Sequence, residues 1–104
     1  MVVWTGPARR DLRQIHDYIA KDSKYYAKKV AAELREATDK LVSHPMIGRV
    51  VPESDNENVR ELFLYSYRII YQVIAKNVRI LAVIHQKQDI PSIHSELLQK
   101  APTE

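Results

Sequence analysis

Val59-Arg60-Glu61-Leu62-Phe63-Leu64, Tyr67-Arg68-Ile69-Ile70-Tyr71-Gln72-Val73-Ile74-Ala75 and Val78-Arg79-Ile80-Leu81-Ala82-Val83-Ile84-His85 are separated only by Tyr65-Ser66 and Lys76-Asn77. All three runs are dense in Val, Ile, Leu and aromatic residues, which suit a pleated, half-buried surface. Two-residue separators make hairpins, so the runs read as an antiparallel meander. With Tyr65-Ser66 as the first turn, Leu64 faces Tyr67 and Phe63 faces Arg68. With Lys76-Asn77 as the second, Val73 faces Ile80, Tyr71 faces Ala82, Ile69 faces Ile84 and Arg68 faces His85. Side chains alternate between faces along a strand. One face then shows Leu62, Leu64, Tyr67, Ile69, Tyr71, Val73, Val78, Ile80, Ala82 and Ile84, and it is apolar enough to demand a cover. The other shows Glu61, Phe63, Arg68, Ile70, Gln72, Ile74, Arg79, Leu81, Val83 and His85, a mixed set that reads as the uncovered face.

The cover lies upstream. Val2-Val3-Trp4 is a short β-prone stretch stopped by Thr5-Gly6-Pro7, where Thr5 can cap a helix and Pro7 fits a first turn. Ala8, Leu12, Ile15 and Ile19 then mark one helical face. Asp22-Ser23 breaks that pattern and offers a second N-cap. The next helix carries Tyr26, Val30, Leu34, Ala37 and Leu41 on one stripe and ends before Pro45. A short connection makes the two helices an antiparallel hairpin. Tyr67 and Tyr71 read as core, and at least one of Tyr25 and Tyr26 is expected to pack. The expected fold class is α+β: an N-terminal strand, then an antiparallel helical hairpin packed on a mainly antiparallel sheet (β-α-α-β-β-β), with a short C-terminal tail or helix.

Residues 46–58, with Gly48, Pro52 and the polar run Glu53-Ser54-Asp55-Asn56-Glu57-Asn58, read as a loop. Pro91 and a short helix around Ser92–Gln99 belong to a C-terminal extension at 89–104, outside a domain at 1–88. A chain of 104 residues makes one domain with one modest core. No apolar run approaches the ~18 residues of a membrane span, and no secretory signal is visible, so the expected location is cytoplasmic with no membrane partner. The chain has no Cys, and its four His show no metal-ligand spacing, so neither a metal nor a cofactor is called for. The net charge is +3, but it is uneven. Residues 1–50 carry ten basic and six acidic residues, and residues 51–104 carry six and seven. The basic excess falls on the helices, where a solvated face is the favoured account, and the overall charge is too mild to establish a nucleic-acid partner.

Under the pairing above, Arg68 and His85 are cross-strand neighbours on the uncovered face, ~4.5–5.5 Å apart at Cβ. Glu53 lies in the loop near the same end of the sheet. An Arg, a His and a carboxylate are the parts of phosphodiester cleavage, in which His or Glu moves protons and Arg stabilises phosphate charge. The ordinary alternative is an ion pair of Arg68 with Glu53 or Glu61, with His85 closing a strand beside it.

Trp4 followed by Ala8-Arg9-Arg10-Asp11-Leu12-Arg13-Gln14-Ile15 and Tyr18-Ile19-Ala20 resembles the start of the RelE/ParE superfamily of type II toxin–antitoxin toxins. The resemblance runs through His44-Pro45, Gly48-Arg49-Val50-Val51-Pro52-Glu53, Val59-Arg60-Glu61-Leu62 and Tyr67-Arg68-Ile69-Ile70-Tyr71, and closes with Ile80-Leu81-Ala82-Val83-Ile84-His85. It covers about residues 2–87, and its specificity lies in the order of the motifs rather than in any one of them. It implies a helical hairpin on a mainly antiparallel sheet. It also implies one of two activities: ParE-like members bind and poison DNA gyrase, whereas RelE-like members are ribonucleases that cut mRNA in the ribosomal A site. Both are neutralised by a cognate antitoxin encoded beside them, and operator DNA is met only through that antitoxin. Glu53 resembles a general base of the ribonuclease members, Arg68 their transition-state arginine, and His85 falls within a position of a general acid. The chain departs from them in Gln86-Lys87-Gln88 and its continuation, which leaves the overall pattern closer to the ParE-like branch. A toxin-like remnant that binds only an antitoxin is the third reading. The positive helices suit an acidic antitoxin segment, with Arg9, Arg10, Arg13, Lys28 and Lys29 as its expected contacts.

Overall fold

The structure is a computed structural model and describes residues 1–86; the expected boundary after residue 88 and the helix around Ser92–Gln99 lie outside them. The elements are β1 (Val2–Trp4), α1 (Gly6–Ala20), α2 (Lys24–Glu36), β2 (Arg49–Val50), β3 (Val59–Leu64), β4 (Tyr67–Ile74) and β5 (Asn77–His85). They build one five-stranded sheet in the order β1-β5-β4-β3-β2. β1 runs parallel to β5, and the remaining neighbours are antiparallel. The α+β arrangement is the expected one, with β2 added inside the stretch read as loop.

Thr5 sets the passage from strand to helix. Its hydroxyl oxygen accepts from the Ala8 amide at 3.3 Å and donates to the Ile80 carbonyl at 2.7 Å. One side chain thus caps α1 and ties it to β5. Ser23 caps α2 by accepting from the Tyr26 amide at 3.1 Å. α2 ends at Glu36, earlier than the stripe through Leu41 implied, and a 3-10 turn at Asp39–Leu41 completes the segment. The Thr38 hydroxyl donates to the Arg35 carbonyl at 2.7 Å, a local bond that competes with continued helix. The buried side chains of α2 are Ala27, Ala31 and Leu34. Of the expected stripe, Leu34 and Leu41 are buried in the core and Val30 and Ala37 pack against it, whereas Tyr26 does not. Tyr25 and Tyr26 are both exposed, at 73% and 57%, so neither packs as expected.

The β3–β4 pairing is as expected, with Leu64 opposite Tyr67 and Phe63 opposite Arg68. The β4–β5 pairing is not. Its turn is Ala75-Lys76, with Ala75 at φ 54°, and Val73 therefore faces Val78. That shift of two leaves the faces unchanged. A bulge between Ile70 and Tyr71 then inserts one extra residue in β5, so Ile69 faces Val83, Arg68 faces Ile84 and Tyr67 faces His85. An odd insertion exchanges faces for everything beyond it. Val83 joins the helix-covered core, while Ala82 and Ile84 turn to the other side. The bulge has a visible partner in α1: the Asp11 carboxylate accepts from the Val83 amide at 3.0 Å.

Ala8, Leu12, Ala31 and Leu34 of the helices cover Leu62, Ile69, Tyr71, Val73, Val78, Ile80 and Val83. The opposite face is less bare than the mixed pattern suggested. Val51, Val59, Ile70, Leu81, Ala82 and Ile84 form a second buried cluster there.

Tyr71 holds the start of the 46–58 segment. Its hydroxyl accepts from the Gly48 amide at 2.8 Å and donates to the Pro45 carbonyl at 2.8 Å. Burial raises its pKa, keeping it a neutral phenol. A Cβ on Gly48 would sit 2.6 Å from both the Glu61 carbonyl oxygen and the Tyr71 hydroxyl, so the close approach requires glycine. Tyr71→Phe strands both backbone partners and is expected to cost about 1–3 kcal/mol in urea unfolding. A loss confined to a few tenths would mean that water replaces the hydroxyl.

Candidate functional site

Two regions are candidate sites, one on each side of the sheet. On the face away from the helices, Arg68 is nearly buried between two carboxylates. Its Nη1 and Nη2 reach the two oxygens of Glu53 at 3.2 and 3.1 Å, a bidentate fork. Its Nε donates to Glu61 Oε1 at 2.7 Å, and Nη2 also contacts that carboxylate. Glu61 is fully buried and accepts a further bond on its other oxygen from Arg49 Nε at 2.6 Å. β3 and β4 place Glu61 and Arg68 on one face, and the loop after β2 delivers Glu53. Hydrogen bonds from Arg68 hold the Glu53 carboxyl below the usual carboxylate range, with burial opposing them. Burial works against the Arg68 charge, yet the bonds to Glu53 and Glu61 outweigh it and raise its pKa. Arg49, Pro52, Glu53, Phe63, Arg68 and Gln86 line a hollow of about 250 Å³ here, with the Arg49 guanidinium 5.2 Å from the Phe63 ring centre.

His85 is not part of this cluster. The bulge places it opposite Tyr67, and the two rings meet edge to face at 5.8 Å. Tyr67 packs against the helix-covered core, and burial raises its pKa. The expected Arg68–His85 neighbours therefore lie on opposite faces. Glu53 and Arg68 come together, and His85 does not join them. Glu61 emerges as the residue that organises the cluster, which the sequence signalled only as one partner option for Arg68. Among the described residues, no group of three or more His, Asp or Glu is placed to hold a metal ion.

The second region is a groove of about 600 Å³ between β1, α1 and α2. Trp4, Leu12 and Ala31 supply apolar walls, and Arg9, Arg13, His16, Asp17 and Arg35 supply the polar ones. Arg9 is steadied by donating Nε to the Trp4 carbonyl at 3.2 Å. His16 Nδ1 lies 3.1 Å from Asp17 Oδ1. Of the expected antitoxin contacts, Arg9 and Arg13 line this groove. Arg10, Lys28 and Lys29 are exposed but do not line it. That Arg35 and Trp4 meet in this groove depends on how α2 crosses α1, which no single helical stripe reveals.

Residues 2–90 match the ParE toxin of the type II toxin–antitoxin system parDE. The chain belongs to that family, within the RelE/ParE superfamily, and is a toxin of a type II system. It is 36% identical over 85 residues to Toxin RelE2 of Caulobacter vibrioides, covering 81% of this chain and 92% of that protein. The chromosomal ParDE system of P. aeruginosa contains a similar chain, with a TM-score of 0.67 and 27% identity over 81% of this chain and 92% of that one. The RelBE2 toxin–antitoxin complex of Mycobacterium tuberculosis contains another, with a TM-score of 0.57 and 25% identity over 82% and 95%. No helix among the described residues is long and apolar enough to cross a membrane.

Proposed function

We propose that this toxin arrests bacterial growth by binding and poisoning DNA gyrase, and that a cognate antitoxin neutralises it. The observation carrying this reading is the state of Arg68. Its guanidinium is committed to Glu53 and Glu61 and is nearly buried, so it has little left to offer a phosphate. His85, the residue matched to the general acid, is on the other face of the sheet from Arg68 and Glu53. An interaction surface suffices for a gyrase poison, whereas a nuclease needs those groups converging on one phosphate. The match to the ParE toxin family supports the same reading.

The test is the purified chain assayed side by side on gyrase supercoiling and on ribosomes programmed with mRNA. Inhibited supercoiling with intact mRNA is expected. Ribosome-dependent cleavage with normal supercoiling would reverse the reading in favour of a RelE-like ribonuclease, the alternative that the likeness to Toxin RelE2 keeps in view. Harmless overexpression of folded protein would point to a remnant that binds only its antitoxin.

The antitoxin is expected to lay an acidic, partly apolar segment in the groove lined by Trp4, Leu12, Arg9, Arg13 and Arg35. Disordered segments gain affinity by covering such surfaces despite the cost of ordering. Arg10, Lys28 and Lys29 would act as outlying charges that steer approach. Charge reversal at Arg9 and Arg13 should slow association and flatten its salt dependence. Unchanged association kinetics in stopped flow would remove the groove from consideration.

A further inference from the structure

We propose that the tip of the helical hairpin is a contact surface for single-stranded nucleic acid, with Tyr18, Tyr25 and Tyr26 as stacking rings and Lys24, Lys28 and Lys29 as phosphate contacts. The inference does not depend on whether gyrase or the ribosome is the target, and it concerns a surface other than the groove.

Three of the six tyrosines fall within positions 18–26, and all three are mostly exposed, at 70%, 73% and 57%. Helical patterning gives Tyr26 a place in the core, yet Ala27, Ala31 and Leu34 take that role and leave the ring in solvent. Exposed aromatic side chains flanking one short turn are the informative exception to ordinary burial. The same segment is strongly basic. Positions 18–29 hold Lys21, Lys24, Lys28 and Lys29 against Asp22, four positive charges less one negative, or +3. That equals the net charge of the whole chain. All four lysines are exposed.

The tip is also built to hold its shape. Only Lys21–Ser23 connect the helices. The amides of Asp22 and Ser23 both donate to the Ile19 carbonyl, at 3.0 and 2.9 Å, and Ser23 caps α2. The rings of Tyr25 and Tyr26 meet edge to face with centroids 5.9 Å apart, and the Lys21 ammonium sits 5.7 Å from the Tyr18 ring centre. Rings held on a rigid turn lose little freedom on binding.

Interleaved rings and cations fit a strand whose bases are open for stacking and whose backbone is anionic. A duplex keeps its base faces covered and could use only the lysines. An acidic peptide would likewise engage the cations and leave the tyrosines idle. Dependence on the rings therefore identifies the occupant.

The experiment measures fluorescence anisotropy of labelled oligothymidylate titrated with the full purified chain at low salt. The same oligonucleotide annealed to its complement and labelled polyglutamate are run alongside. Tyr25→Ala with Tyr26→Ala should weaken the single-strand complex about tenfold or more, whereas the two Phe substitutions should leave it intact. Each Lys→Gln change at positions 24, 28 and 29 should reduce the slope of log affinity against log salt by about 0.7. Thermal melting of the double alanine variant should match the parent, since both rings are outside the core. Absence of oligothymidylate binding, or equal binding by the folded alanine variant, would overturn the proposal. So would ring-dependent binding of polyglutamate, which would assign the tip to an acidic protein partner instead.

Discussion

Glu61→Ala is expected to destabilise the fold by about 3–5 kcal/mol, a large share of the ~5–15 kcal/mol that a domain commands. Glu61 has no accessible side-chain surface, and its two oxygens serve Arg49 and Arg68 at once. Arg49 is mostly solvated and tolerates the loss. Arg68 is not, and removing Glu61 leaves it nearly buried with Glu53 alone. Leaving a buried charge partly uncompensated costs more than the pair itself is worth, because desolvation has already been incurred. Replacing both residues with apolar ones of similar volume, Glu61→Leu with Arg68→Met, should therefore recover most of the stability. Urea midpoints of the single and double variants decide the matter. A single variant no worse than an ordinary surface change of ~0.5 kcal/mol would show that the cluster is relaxed and wet. Acid acts on the same group of residues. The Glu53 carboxyl is held below its ordinary value, so its contribution is present above the unfolded pKa of ~4.3 and is lost as pH falls through the folded value. Across that range the parent should lose stability with falling pH more steeply than Glu53→Gln.

How far the sequence carries can be followed along β5. Period-two alternation located β3 without error and placed β4 and β5 to within one residue at the turn between them, because burial selects apolar β-branched residues at every second position. The same rule then misassigned Ala82, Val83, Ile84 and His85, since alternation assumes that no residue is inserted. What stabilises the bulge comes from α1, through Asp11 bonding the Val83 amide. A strand pattern holds no record of a carboxylate seventy-two positions away. The turn failed for a related reason. Lys76-Asn77 is what separates the two apolar runs in sequence, yet Ala75 leaves the strand at φ 54° and Asn77 pairs with Ile74 instead of turning. For the candidate site, Arg68 with Glu53 or Glu61 was legible as an ion pair from residue type and strand spacing. The groove was only half legible. Arg9 and Arg13 stand out on α1, whereas Trp4, Ala31 and Arg35 reach it from two other elements.

The displacement of His85 leads to the second large effect. In a ribonuclease that uses His85 as general acid and Glu53 as general base, His85→Ala and Glu53→Gln should each lower mRNA cleavage ~10²–10⁴-fold with the fold intact. In a gyrase-binding toxin neither change should relieve growth arrest. His85 closes β5 against Tyr67, outside the Arg68 cluster. Gln at position 53 can still accept from the Arg68 guanidinium, so the cluster survives. Arg68→Ala is unsuitable for this comparison, because it strands two carboxylates and lowers the amount of folded protein whatever the target. The measurement is viable counts after induction of each variant, paired with supercoiling inhibition by the purified proteins. Growth arrest should persist in His85→Ala and Glu53→Gln, with supercoiling inhibition close to that of the parent. Rescue of growth by both variants, together with loss of ribosome-dependent cleavage, would mean that a bound ribosome draws Arg68 out of its ion pairs and brings His85 to the phosphate. Such a rearrangement has to break the Glu61 pairing, so the same ribosomes would bind Glu61→Gln more tightly than the parent chain.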